Sequence, residues 1–217
     1  MTRHPLTWLL LSLGAIILLT LAGPSEKSLG SNVRVVYLHG AWVWTSLAVL
    51  IAAGVTGLVG ILMQKLELHA WSRALGRTGL LFWITYLPIS LWAMQSNWNG
   101  LYLAEPRWRL ALIFGVSGLL LQTGLTLIED LRWTSIGNVA FVAILLLALS
   151  GTQEVMHPRA PILTSDSRLI RAYFGLLVSI ALMAAGQIAR WWRGENPLNC
   201  NAHSTHSSPL LSACAPC

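Results

Sequence analysis

Apolar residues in this chain run in long unbroken blocks, with the polar residues gathered into the gaps between them. Neither the alternation of a half-buried strand nor the one-sided stripe of a soluble helix describes such a pattern. Blocks of this length suit a bilayer, because about 20 apolar residues carry a helix across its hydrocarbon core. The first block, residues 6–22, follows Arg3 and ends at Gly23-Pro24 and the polar run Ser25 to Asn32. It is longer than a signal-peptide core, and Pro24 is poorly placed after a cleavage point at Ala22, so a retained helix is expected. A second block covers residues 35–64, more than a bilayer requires, which sets its first turns around Tyr37 and His39 at the membrane boundary or beyond. The third covers 78–94 with Pro88 as a tolerated kink, and the aromatic stretch Gln95 to Arg109 leads to the fourth, 110–128. The fifth is 134–150. The sixth, 169–189, is closed by the interfacial anchor Arg190-Trp191-Trp192-Arg193. The expected fold is an all-α integral membrane protein: six transmembrane helices in one bundle over residues 1–193, a Trp-rich loop between helices three and four, and a mobile polar tail over 194–217.

Composition sharpens this picture. Of 217 residues, 55% are hydrophobic and 10% charged, against roughly 25% charge in soluble domains, and the mean hydropathy is +0.62. Those values exclude a disordered chain and a disulfide framework. The net charge of +6 is accounted for by basic residues flanking the blocks, and no run of five like charges is present, so nucleic acid is not an expected partner. The lipid bilayer is. P-loop, G-x-G-x-x-G and H-E-x-x-H motifs are absent from the sequence, and soluble nucleotide chemistry is not expected. All three cysteines lie in the tail, where Cys214-Ala215-Pro216-Cys217 has redox spacing but no following helix to lower a thiol pKa.

With six spans, the connections after the first, third and fifth helices emerge on one side. Basic residues do not orient the bundle: Arg3, Lys65, Arg73, Arg77, Arg132, Arg190 and Arg193 fall on one face, and Lys27, Arg34, Arg107, Arg109, Arg159, Arg168 and Arg171 on the other. The compact cluster Lys65, Arg73 and Arg77 in the short connection between the second and third helices assigns that face to the cytoplasm.

Two of the six histidines share the opposite face. His39 opens the second helix in Tyr37-Leu38-His39-Gly40-Ala41-Trp42, and His157 sits in the connection between helices five and six, in Glu154-Val155-Met156-His157-Pro158. The aromatic stretch Trp98-Asn99-Gly100-Leu101-Tyr102 through Glu105-Pro106-Arg107-Trp108 emerges there too. Two imidazoles beside aromatic rings suit a flat, iron-bearing apolar ligand, with neutral His donating to iron and Arg107 or Arg109 pairing with propionates. Either His alone is equally a headgroup contact or a helix-end partner, and Trp98, Tyr102 and Trp108 equally an interfacial belt. His4, His69, His203 and His206 read as solvated.

These residues resemble the CcmC haem-handling proteins of cytochrome c maturation. The likeness lies in a Tyr-x-His before Ala-Trp at the start of the second helix, Trp-rich residues between the third and fourth, and a His between the fifth and sixth. The family loop reads roughly W-G-x-x-W-x-W-D-x-R, and residues 98–107 here read W-N-G-L-Y-L-A-E-P-R, with Tyr102 in place of a Trp, Glu105 in place of the Asp and Ala104 where another Trp is usual. The resemblance covers about residues 5–193 in spacing and topology. It implies non-covalent b-type haem at the non-cytoplasmic surface of the cell membrane, with His39 and His157 as iron ligands. Trp42, Trp98, Tyr102, Glu105, Arg107 and Trp108 line the site, and a haem chaperone and an ABC-type transporter are the implied partners.

Function on this reading is haem binding and delivery rather than turnover of a small substrate, since no nucleophile or acid–base pair stands out. The alternatives are a membrane-anchor or b-haem electron-transfer subunit of a larger redox complex, and a cofactor-free permease or structural subunit. Gly54, Gly57 and Gly60, and Gly115 with Gly118, read as helix-approach sites, and Gln122, Thr123 and Asn138 as polar groups lining a pathway or bonding between helices.

Overall fold

The computed structural model describes residues 5–152 and 162–194. Among these the chain forms six α-helices and no strand: α1 (Pro5–Ala22), α2 (Val33–Met63), α3 (Leu66–Trp98), α4 (Pro106–Ile128), α5 (Leu131–Gly151) and α6 (Arg168–Gly194). Four of them, α2, α4, α5 and α6, are long and apolar enough to cross a membrane, which points to a multi-pass membrane protein. The apolar part of α1, Leu6–Ala22, sits at the lower limit of bilayer-spanning length. Helix α3 is the longest, yet Glu67, Arg73 and Arg77 confine its apolar part to the residues that follow them. The expected 194–217 tail lies outside the described residues apart from Gly194, which ends α6.

Helix α3 begins 12 residues ahead of the expected span at 78 and runs on through Trp98. Packing explains the early start. His69, Ala70, Ser72, Ala74 and Gly76 are buried, so the polar first half of α3 lies inside the bundle. Glu67 is also tied to Arg193 at the end of α6 by an ion pair of 2.5 Å. At the far end Pro106 fits the first position of α4, where its missing N–H costs nothing, and the Glu105 carboxylate accepts from the Trp108 N–H at 2.6 Å. The expected aromatic loop of residues 95–109 therefore shrinks to 99–105, with Trp98 and Trp108 on helices.

The core is built around the α2/α3 pair, and small residues let its backbones approach. A Cβ on Gly57 would stand 2.8 Å from the Ser72 hydroxyl and 3.1 Å from the Ser135 carbonyl oxygen, and one on Gly76 would stand 2.7 Å from the Asn138 amide. Gly54 faces Val142 and Gly60 faces His69, so the glycine row expected to be a packing surface is one. Polar groups bridge the same seam. Asn138 donates to the Ser72 carbonyl at 2.9 Å and accepts from the Gln122 amide at 2.7 Å, Ser72 donates to the Ala53 carbonyl, and Ser46 donates to the Gly79 carbonyl, both at 2.8 Å. In a bilayer such bonds fix which helices are neighbours, because apolar side chains alone do not distinguish a helix from lipid. Helix α1 packs through Ile16 onto the cluster of Tyr37, Phe174 and Leu177, and the Tyr173 hydroxyl donates to the Leu19 carbonyl at 2.5 Å.

Hydrogen bonds fix one end of the bundle. Asn32, just ahead of α2, donates to the Ser96 carbonyl at 2.8 Å, and Arg34 donates to the Gly23 carbonyl at 2.9 Å. Between α1 and α2 the Glu26 carboxylate accepts from the Ser28 hydroxyl and from the Ser28 and Leu29 N–H groups, and these donors hold its pKa below the ordinary value. The end of α1, the start of α2 and the end of α3 thus meet.

Candidate functional site

His39 stands in the second turn of α2, half-buried, with its ring edge-on to Tyr86 at 5.7 Å. Tyr86 is in turn edge-on to Trp83 at 5.3 Å, and the Trp83 indole donates to the Ala111 carbonyl of α4 at 2.9 Å. A column of rings therefore connects the imidazole to the α3/α4 seam and holds one side of it against the bundle. Burial and edge-to-face packing limit the orientations open to His39.

The other residues expected at the site divide into two groups. Trp98 is half-buried at the last position of α3, Tyr102 is exposed and donates to the Trp98 carbonyl at 3.4 Å, Arg107 is half-buried in the first turn of α4, and Arg109 is exposed. These four share the end of the bundle at which Asn32 ties α2 to α3. Trp42, Glu105 and Trp108 have structural contacts of their own. The Trp42 indole donates to Thr85 at 3.1 Å and its ring leans on Phe82 at 5.2 Å, which turns it toward α3 rather than the loop. Glu105 caps α4, and Trp108 is buried beneath that cap. His157 lies outside the described residues, so the structure places one of the two expected iron ligands.

The donor set is consistent with haem in part. An imidazole held by ring packing, an exposed phenol, a half-buried indole and two guanidiniums are the groups that coordinate iron, cover a macrocycle and pair with propionates. The Glu105 carboxylate beside them is engaged with the start of α4. No group of three or more His, Cys, Asp or Glu that would hold a bare metal ion is present among the described residues.

One reading is corrected. His69, expected to be solvated, is 2% exposed, and its Nδ1 lies 2.6 Å from the Ser135 hydroxyl. The cause is the early start of α3, which carries residue 69 into the bundle opposite Gly60. The sequence held a signal for it: His69, Ser72 and Gly76 recur at helical spacing on one face, across from Gly57 and Gly60.

Set against models of known protein families and against curated proteins, the chain matches none.

Proposed function

We propose that the protein handles haem at one membrane surface, as a six-span bundle in the cell membrane. His39, Trp98, Tyr102, Arg107 and Arg109 contribute to the seat, His157 supplies the second axial ligand, and the face carrying them is non-cytoplasmic. The observation that supports this most directly is the column from His39 through Tyr86 to Trp83, which presents a packed imidazole at the end where Trp98 and Tyr102 also stand. Haem bound there is b-type and non-covalent, and its exposed edge is available to a haem chaperone. An ATP-driven transporter completes the route. Within this reading α1 and α3 also span, α3 through residues 78–94.

Each residue has a distinct task. His39 and His157 donate ring nitrogens to iron, Arg107 and Arg109 neutralise propionates, and Trp98 and Tyr102 cover the ring and exclude water. Glu105 fixes the start of α4 and thereby the position of both arginines. Absorption spectroscopy of protein purified from haem-replete cells tests the assignment. The wild type should carry six-coordinate low-spin haem. His39→Ala or His157→Ala should abolish that signature, with partial return on adding imidazole, and Trp98→Ala should lower haem content without changing the spectral type. Wild-type protein free of haem, or an unchanged spectrum in the double His variant, would overturn it. A cofactor-free membrane subunit would then be the better reading, since Trp42, Glu105 and Trp108 all have packing or capping roles that need no ligand.

A further inference from the structure

At the end of the bundle away from His39, two guanidiniums lie over two indoles. Arg77 of α3 stands over the Trp192 ring of α6 at 5.5 Å, and Arg193 stands over the Trp71 ring at 4.6 Å. Trp191 stacks on Trp192 with ring centroids 5.4 Å apart and is 54% exposed. A guanidinium lying on a ring face keeps its in-plane N–H groups for other acceptors, and it has five of them. Arg77 uses one toward the Thr126 hydroxyl at 3.0 Å, and Arg193 uses one toward Glu67 at 2.5 Å. With Arg193 engaged by the Glu67 carboxylate, Arg77 is the guanidinium here that keeps N–H groups beyond its bond to a neutral hydroxyl.

From this geometry we propose that the α3/α6 junction binds the phosphate of an anionic phospholipid headgroup. Arg77 is the main contact, held in place by the Trp192 ring beneath it. Charge complementarity selects an anion, and the exposed Trp191 ring at the end of a helix long and apolar enough to cross a membrane selects one that carries acyl chains. Indole rings of this kind settle at headgroup depth. The lipid seals the α3/α6 contact where the Glu67–Arg193 ion pair otherwise holds it. The proposal needs the membrane setting and is independent of haem.

Native mass spectrometry of the full chain, released from nanodiscs of phosphatidylcholine with and without phosphatidylglycerol, reads it out. The wild type should retain phosphatidylglycerol in preference to phosphatidylcholine and melt at a higher temperature in the mixed discs. Arg77→Gln should weaken phosphatidylglycerol retention about fivefold, the share of one interfacial basic side chain. Trp192→Leu removes the ring beneath Arg77 while keeping an apolar side chain, and should weaken phosphatidylglycerol retention in the same direction. It also serves if Arg77→Gln fails to fold. Equal retention of phosphatidylglycerol by wild type and either folded variant would overturn the proposal. So would protection by inorganic phosphate as strong as that by the lipid.

Discussion

Asn138 spends both ends of its amide inside the bundle, donating to Ser72 on α3 and accepting from Gln122 on α4. Replacing it with Leu removes the bonds that tie α5 to the Gln122 amide of α4 and the Ser72 carbonyl of α3, a loss of about 1 kcal/mol. Thr123 lies next to Gln122 but is exposed. Asn138→Leu should therefore lower the midpoint of denaturation in mixed micelles while Thr123→Ala leaves it unmoved, and equal effects would sink the interhelical role. Gly57→Ala should cost more, about 1–3 kcal/mol, because the new methyl meets a backbone carbonyl that cannot turn aside. Gly14→Ala, with nothing within 4 Å of its Cβ, is the matched control. These residues also mark how far the sequence can be read. Polar side chains within apolar blocks announce that they need partners, and Gln122 and Asn138 were legible on that ground. Which helix supplies the partner is a tertiary fact, and Ser72 carries no local sign of it.

Helix ends were the least legible elements, for a physical reason. A hydropathy profile reports where a chain meets hydrocarbon, whereas a helix continues wherever its backbone is satisfied and its side chains are packed. Helix α3 accordingly extends from Leu66, its first turns held by burial of His69 and Ser72 against α2 and α5 rather than by lipid. The family resemblance expects Glu105 at a ligand, and the fold also uses it at a helix terminus. Both uses predict that Glu105→Ala is harmful, and they separate by measurement. Loss of the cap should cost about 1 kcal/mol and raise backbone amide exchange at Arg107 and Trp108 in protein that carries no haem. Glu105→Asp, a good capping residue, should restore most of that protection. If exchange at these amides is unchanged in Glu105→Ala, the carboxylate is not holding the start of α4.

For the whole molecule the central question is which elements share a side, and the hydrogen bonds already pair several. Asn32 to Ser96 and Arg34 to Gly23 join the end of α1, the start of α2 and the end of α3, while Arg193 to Glu67 joins the end of α6 to the start of α3 at the other extreme. The seven-against-seven distribution of basic residues could not orient this arrangement, because charge on the loops is balanced about the bundle. At about 1.5 Å per residue, the 33 residues of α3 reach roughly 50 Å, well past a hydrocarbon core of about 30 Å. Its two ends therefore fall on opposite membrane surfaces if residues 78–94 cross. Single cysteines at Ser28, Asn99 and Glu129, in a chain whose Cys200, Cys214 and Cys217 are replaced by Ser, make this measurable in intact cells with a membrane-impermeant thiol reagent. Positions 28 and 99 should label without permeabilisation, and position 129 only after it. Positions 28 and 129 lie beyond the ends of α1 and α4, so an odd number of crossings separates them when every helix between them spans. Labelling of 28 and 129 from the same side would mean that α2, α3 or α4 fails to cross, and α3, with three charges in its first turns, is where that failure would fall.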